Sequence, residues 1–130
     1  MTPMSSKKIL VVDDDSNFLK LISMRLELAS YEVVTALNED EAIAIAKEEI
    51  LALSIVDLKL VRRDGISLME EMHSINPYMP IIILTAQGSI ESAVEATKRG
   101  AFNYLNKPFN PQELLLQIER AMEHRRLASE

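Results

Sequence analysis

The 130-residue sequence contains no cysteine, which excludes a disulfide framework and any thiolate metal site. Nor does any uninterrupted apolar run approach the roughly 18 residues that a membrane-spanning helix requires. The N-terminal MTPMSSKK has a basic pair but no long apolar stretch after it, so it does not read as a secretion signal. A soluble protein of the cytoplasm is the expectation. Positive charge is scarce as well. Fourteen basic against 20 acidic residues leave a net charge of −6, which opposes contact with a nucleic-acid backbone or an anionic membrane surface. Neither direct nucleic-acid binding nor membrane association is expected of this segment.

What the chain does have is enough apolar material for a core. Its residues are 48% hydrophobic, and a single domain of this length buries roughly two-thirds of the surface that its unfolded chain exposes. Short aliphatic and β-branched runs recur at Ile9 to Val12, Glu32 to Thr35, Leu53 to Val56, Ile81 to Leu84 and Asn103 to Leu105, each too short for a typical helix and suited to a strand. Helix punctuation fills the intervals. Asn38 with Glu41, Ser67 with Glu70, and Asn110 with Glu113 each place a capping side chain three residues before an acid that can reach back to a free backbone N–H. Pro111 follows at a first helical position, and Gly100 stands where the fourth helix should stop. In the last helix, Leu114, Leu115, Ile118, Ala121 and Met122 form an apolar stripe. Strands alternating with helices imply right-handed crossovers and a parallel sheet covered on both faces, a doubly wound α/β fold.

Ligands of such folds bind beyond the carboxyl ends of the strands. The first strand runs straight into three acids, Asp13 to Asp15, in ILVVDDDSNF. Two carboxylates about 5 Å apart repel by roughly 3 kcal/mol at an effective dielectric near 20, so something must offset them. The third strand ends in Asp57, the fourth in Thr85 and the fifth in Lys107, which brings carboxylates, a hydroxyl and an ammonium to one rim. Carboxylates with little else beside them bind a hard divalent cation such as Mg²⁺. A carboxylate beside Mg²⁺ can also act as a nucleophile toward phosphorus. Lys107 would then neutralise one phosphoryl oxygen and Thr85 would donate a hydrogen bond to another. Asp57 is the expected nucleophile, because it stands alone near the middle of the sheet and faces the pair on the first strand.

Taken in order, Asp13-Asp14 after an aliphatic strand, Asp57 after SIV, Asp64-Gly65, Thr85-Ala86, Tyr104 and Lys107-Pro108-Phe109 resemble the receiver domain of a bacterial two-component response regulator. The likeness covers Lys7 to about Met122. It implies a flavodoxin-like receiver fold with five helices around a five-stranded sheet of order 2-1-3-4-5, and a single domain over residues 1–130 whose last helix extends to about residue 127. It further implies that Asp13, Asp14 and Asp57 hold Mg²⁺ together with the backbone carbonyl of Lys59. Asp57 would accept a phosphoryl group from the phosphohistidine of a sensor histidine kinase, and Thr85 and Tyr104 would form a switch pair. The segments IIILTAQGSIESAVEATKRGAFNYLNKPF and LMEEMHSINPYMP are similar to receivers of the NtrC-like activators, which work with an alternative-sigma-factor polymerase. Such proteins carry ATPase and DNA-binding domains in a longer chain.

Several residues depart from the family pattern or have plainer readings. Val61 stands where such receivers often have proline, and Lys59 and Gln87 fall near the path of the water that would attack the phosphoryl group. Asp15 is read as the cap of the first helix rather than a metal ligand. Taken alone, Lys107-Pro108 is a surface turn, Tyr104 a half-buried strand residue and Thr85 an ordinary strand threonine. X-Pro bonds are cis in only about 5–6% of cases, yet the resemblance implies a cis bond at Pro108 that aims the lysine. His73 and His124 have no ligand-like company and are read as solvated. Lys98-Arg99 and Arg125-Arg126 suit helix C-termini, and Arg62-Arg63 read as loop charges.

On this reading the domain is a phosphoacceptor rather than an enzyme acting on a separate substrate. Phosphorylation adds a charge of about −1.5 to −2, Thr85 moves toward it, and Tyr104 fills the vacated space. The change biases a two-state equilibrium read on the face of the fourth helix, fifth strand and fifth helix, where Ile90, Val94, Ala101 and Tyr104 are candidates and a homodimer is expected. Two rival classes are weighed. A haloacid-dehalogenase-like phosphatase would use Asp13 as nucleophile, but needs further acids where Thr85 stands. A pseudo-receiver would keep the fold as an interaction module without the chemistry. A flavin binder is disfavoured by the absence of tryptophan, by only three glycines and by the lack of a phosphate-cradling loop after the first strand.

Overall fold

A computed structural model describes residues 7–58, 65–85 and 90–129. Five strands, β1 (Lys8–Val12), β2 (Glu32–Ala36), β3 (Leu53–Asp57), β4 (Ile81–Thr85) and β5 (Asn103–Asn106), alternate with five helices, α1 (Ser16–Leu28), α2 (Glu39–Glu48), α3 (Gly65–Ile75), α4 (Ile90–Lys98) and α5 (Pro111–Ser129). All strand pairings are parallel, and the order across the sheet is β2-β1-β3-β4-β5. This is the doubly wound fold and the strand order expected. β2 to β5 each run one residue beyond their aliphatic stretch, which makes Asp57 and Thr85 the last residues of their strands.

The sheet is buried on both faces, and the period of two along each strand decides which core a side chain enters. On β1, Leu10 and Val12 join one cluster, with Val56, Ile81 and Ile83 of the sheet and Leu68, Met69 and Met72 of α3. Ile9 and Val11 point the other way, into a second cluster with Leu53, Ile55, Ile82 and Leu84 of the sheet, Leu19, Ile22 and Leu26 of α1, and Leu114, Ile118 and Ala121 of α5. β1 and β4 therefore read as aliphatic runs, and β3 as one interrupted by the buried Ser54.

Helix ends follow local chemistry. Asp15 Oδ1 accepts the N–H groups of Asn17 and Phe18 at 3.0 and 3.2 Å, which makes it the cap of α1. Asn38 Oδ1 accepts Glu41 N–H at 2.9 Å, and the Glu41 carboxylate reaches back to Leu37 N–H at 2.8 Å. Asn110 Oδ1 accepts Gln112 N–H at 2.8 Å ahead of Pro111-led α5. α4 ends as Gly100 predicts: its φ is 124°, and the N–H groups of Gly100 and Ala101 bond back to the carbonyls of Thr97 and Ala96. α1 closes in the same way through Ser30 and Tyr31, which bond to Glu27 and Leu26.

Two expectations are corrected. Ser67 does not cap α3 but lies inside it, because the helix already starts at Gly65 and its core-facing stripe begins at Ile66. His73 is not a solvated bystander. Its Nε2 lies 2.9 Å from the carbonyl oxygen of Met79, and a Cβ on Gly100 would come within 3.3 Å of its Nδ1. His124 is exposed, as expected, with its ring centroid 5.4 Å from that of Phe102.

Ser30 is the one described non-glycine residue with positive φ, at 74°. L side chains resist that conformation by roughly 1–2 kcal/mol, partly offset on replacement by the greater freedom of an unfolded glycine. Ser30→Gly should therefore raise the unfolding free energy by about 0.5–1 kcal/mol in a urea titration. A loss of stability would show that the Ser30 side chain contributes more than its backbone conformation costs.

Candidate functional site

The carboxyl ends of β1, β3, β4 and β5 bring together residues that are far apart in sequence. Asp13 follows β1 and is fixed there by its own backbone, whose N–H bonds to Ala36 O at 3.1 Å. Continuing the alternation of β1 and β3, Asp13 and Asp57 fall on the phase of the core that contains α1 and α5. Asp13 is 1% exposed, Asp57 is half-buried and Asp14 is exposed. One oxygen from each of these three carboxylates lies within 4.8 Å of the others.

A cation already answers part of this charge. Lys107 Nζ lies 2.6 Å from Asp13 Oδ2, across a separation of 94 residues. The lysine is placed by β5: its N–H bonds to Thr85 O at 2.8 Å, and its peptide bond to Pro108 is cis. Its ammonium also sits 4.3 Å from the centroid of the Phe18 ring, which meets Phe109 edge-on at 6.2 Å. The other oxygen of Asp13 accepts Asp15 N–H at 3.0 Å. Both oxygens of this buried acid thus have donors, as burial of a charge requires.

Thr85 is fully buried at the end of β4. Its phase along the strand is that of Ile81 and Ile83, on the side of the sheet that α3 and α4 cover. Tyr104 packs half-buried against that same cluster and pairs with Ile83. The two expected switch residues therefore share one face, opposite in phase to Asp57.

A group of three hard oxygen donors, with no nitrogen or sulfur among them, suits a small divalent ion such as Mg²⁺ better than a transition metal. Lys59, whose carbonyl the family likeness adds to this set, lies outside the described residues, as do Val61, Arg62, Arg63, Asp64, Ala86 and Gln87. Sequence reasoning passed over Phe18 and the ring of Phe109. The available signal was an aromatic residue in the first turn of α1, one turn beyond the acids. β4 ends in Thr85 rather than in the further acids that a haloacid-dehalogenase-like site requires.

The family described as the response regulator receiver domain matches residues 9–119. The transcriptional regulatory protein GlrR of Escherichia coli K12 is 43% identical over 115 residues, which cover 88% of this chain and 26% of that one. The transcriptional regulatory protein ZraR of Salmonella typhimurium is 38% identical over 118 residues, 91% of this chain and 27% of its own. The chain thus spans about a quarter of the length of these relatives. Among solved structures, a response regulator receiver domain protein from Clostridium thermocellum superposes with a TM-score of 0.89 at 37% identity, covering 93% of this chain and 98% of its own. NtrX from Brucella abortus gives 0.90 at 34% identity, over 95% of this chain and 28% of its own. The NtrC-like kinship expected from the sequence agrees with these relatives.

Without Lys107 the Asp13 carboxylate would keep its burial and lose its cation. Lys107→Met should therefore cost about 1–3 kcal/mol of folding stability in a chelating buffer, and added Mg²⁺ should recover most of it in a urea titration. Equal stability of the variant and the parent in the chelator would show that the Lys107–Asp13 contact contributes nothing to the resting protein.

Proposed function

The chain belongs to the response regulator receiver domain family, and from that membership we propose that Asp57 accepts a phosphoryl group from the phosphohistidine of a sensor histidine kinase in a Mg²⁺-dependent reaction. The observation that carries this reading is the convergence of Asp13, Asp14 and Asp57 within 4.8 Å beside the Lys107 ammonium. An Asp57 carboxylate oxygen attacks phosphorus as the phosphorus–nitrogen bond of the donor breaks. The imidazole keeps the bonding pair, and the product is an acyl phosphate. Mg²⁺ held by Asp13, Asp14 and Asp57 would supply neutralising charge to the phosphoryl oxygens. Lys107 exchanges Asp13 for a phosphoryl oxygen, and the Thr85 hydroxyl donates to another. The domain acts as a phosphoacceptor, its own chemistry limited to phosphorylation from small donors and loss of the phosphoryl group.

The response travels across the sheet. Thr85 moves toward the new dianion, and Tyr104, on the same face, turns inward behind it. The change is read on α4, β5 and α5, where Val94 is 40% exposed and a cleft of about 420 Å³ is lined by Tyr104, Asn106, Asn110 and Glu113. Ala101, an expected member of that surface, is only 6% exposed and belongs to the core instead. The side chain of Ile90 lies outside the described residues. A homodimer through this face is the expected assembly. Regulation of transcription is the output that kinship with GlrR and ZraR supports, exerted through altered dimerisation or through domains joined to the receiver in a longer chain.

Incubation with acetyl phosphate and Mg²⁺ should add one phosphoryl group by intact mass, and the adduct should vanish in Asp57→Asn and in chelator. No adduct on folded, Mg²⁺-supplied protein would favour the interaction-only module. The switch has its own check: Thr85→Ala should still take up the phosphoryl group but lose the amide shift changes of α4 and Tyr104 seen by NMR. Unaltered shifts at α4 when the parent protein is phosphorylated would rule the switch out.

A further inference from the structure

Phe18 has no part in the chemistry described so far, yet it closes a ring of contacts around the acids. Asp13 Oδ1 accepts the N–H of Asp15 at 3.0 Å. Asp15 Oδ1 caps α1 and accepts the N–H of Phe18 at 3.2 Å. The Phe18 ring carries the Lys107 ammonium at 4.3 Å, and that ammonium returns to Asp13 Oδ2 at 2.6 Å. Each member is held by the next, so the position of the ring is set by the same acid whose charge the lysine answers.

We propose that Phe18 is a positioning residue for Lys107, holding its ammonium beside the acids while it exchanges Asp13 for an incoming phosphoryl oxygen. The inference rests on the phosphoacceptor reading of Asp57 and deepens it. A lysine side chain is a flexible stem ending in a point charge, and strand β5 fixes only its base. A hydrogen bond to Asp13 is directional and is lost when the ammonium leaves. Attraction to the negative face of an aromatic ring is broader, so the ammonium can slide across Phe18 without losing it. The ring is itself braced, edge-on, by Phe109. Beside it opens an apolar groove of about 530 Å³ whose lining includes Phe18, Leu21, Ile22, Phe109 and Lys107 itself. The ring and the stem of the lysine thus line one groove together.

The test pairs a spectroscopic signature with a rate. In the unphosphorylated parent protein, the ε-methylene protons of Lys107 should resonate upfield of an ordinary lysine because of the ring current of Phe18. The shift should disappear in Phe18→Leu, which keeps an apolar side chain, and persist in Phe18→Tyr. Phosphorylation by acetyl phosphate should slow by about two- to fivefold in Phe18→Leu, the range that an ordinary cation–π contact supports, and return in Phe18→Tyr. Lys107 methylene protons at ordinary positions in the parent protein would overturn the proposal, and this reading needs no variant to fold. So would a Phe18→Leu protein that is phosphorylated as fast as the parent. Should the parent itself take up no phosphoryl group, the Asp57 reading fails, and the methylene shifts alone decide whether Phe18 positions the lysine.

Discussion

The contact between Lys107 and Asp13 is the constraint on which the rest of the rim depends. A carboxylate 1% exposed to solvent needs a nearby cation and donors to remain charged. Here the cation comes from a residue 94 positions away. That meeting is possible only if β1 and β5 lie in one parallel sheet with their carboxyl ends on the same side, separated by β3 and β4. Those two strands deliver Asp57 and Thr85 to the same rim. The repulsion that three consecutive acids create in the sequence is resolved by dividing their work. Asp13 pairs with lysine, Asp15 turns away to cap α1, and Asp14 and Asp57 each bring an oxygen within 4.8 Å of Asp13, a group that could hold a metal ion.

The same sheet separates the acids from the expected switch pair. Strand alternation gives Asp57 the phase of the α1 and α5 face, and gives Thr85 and Tyr104 the phase of the α4 face. On the proposed reading, a new charge at Asp57 would be sensed by the Thr85 hydroxyl on the neighbouring strand and passed on to Tyr104. Thr85 is fully buried, and on the proposed reading close packing there would make its displacement discrete rather than continuous. α4 is joined to α3 by modest means, with the half-exposed Arg99 lying 3.3 Å from Glu95 and 3.8 Å from Glu70. Such exposed pairs contribute little to stability, and α4 is anchored, among its described residues, chiefly by the buried Ala96.

Much of this was legible in the sequence because the determinants are local. Unbroken aliphatic runs announce strands buried on both faces, and a rule about strand ends then identifies Asp13, Asp57, Thr85 and Lys107 without reference to any contact. Asn38, Asn110, Asp15 and Gly100 are equally local, since a cap bonds within four residues of itself. The misses are tertiary. Ser67 has the spacing of a cap, but α3 starts earlier because Ile66 has core to pack against. His73 finds the Met79 carbonyl only after the chain turns into β4, and Ala101 is buried by the core that α4 and β5 close around it. Phe18 acquires meaning from a lysine on the far side of the molecule's sequence, which no spacing within α1 reveals.

The most direct test is to identify the residue that carries the phosphoryl group. After reaction with acetyl phosphate and Mg²⁺, borohydride reduces an acyl phosphate of aspartate to homoserine, which peptide mass mapping locates. Homoserine at position 57 alone is the predicted result. Homoserine at position 13 would contradict the account, because the buried partner of Lys107 would then be the nucleophile and the roles of the two strands would be exchanged.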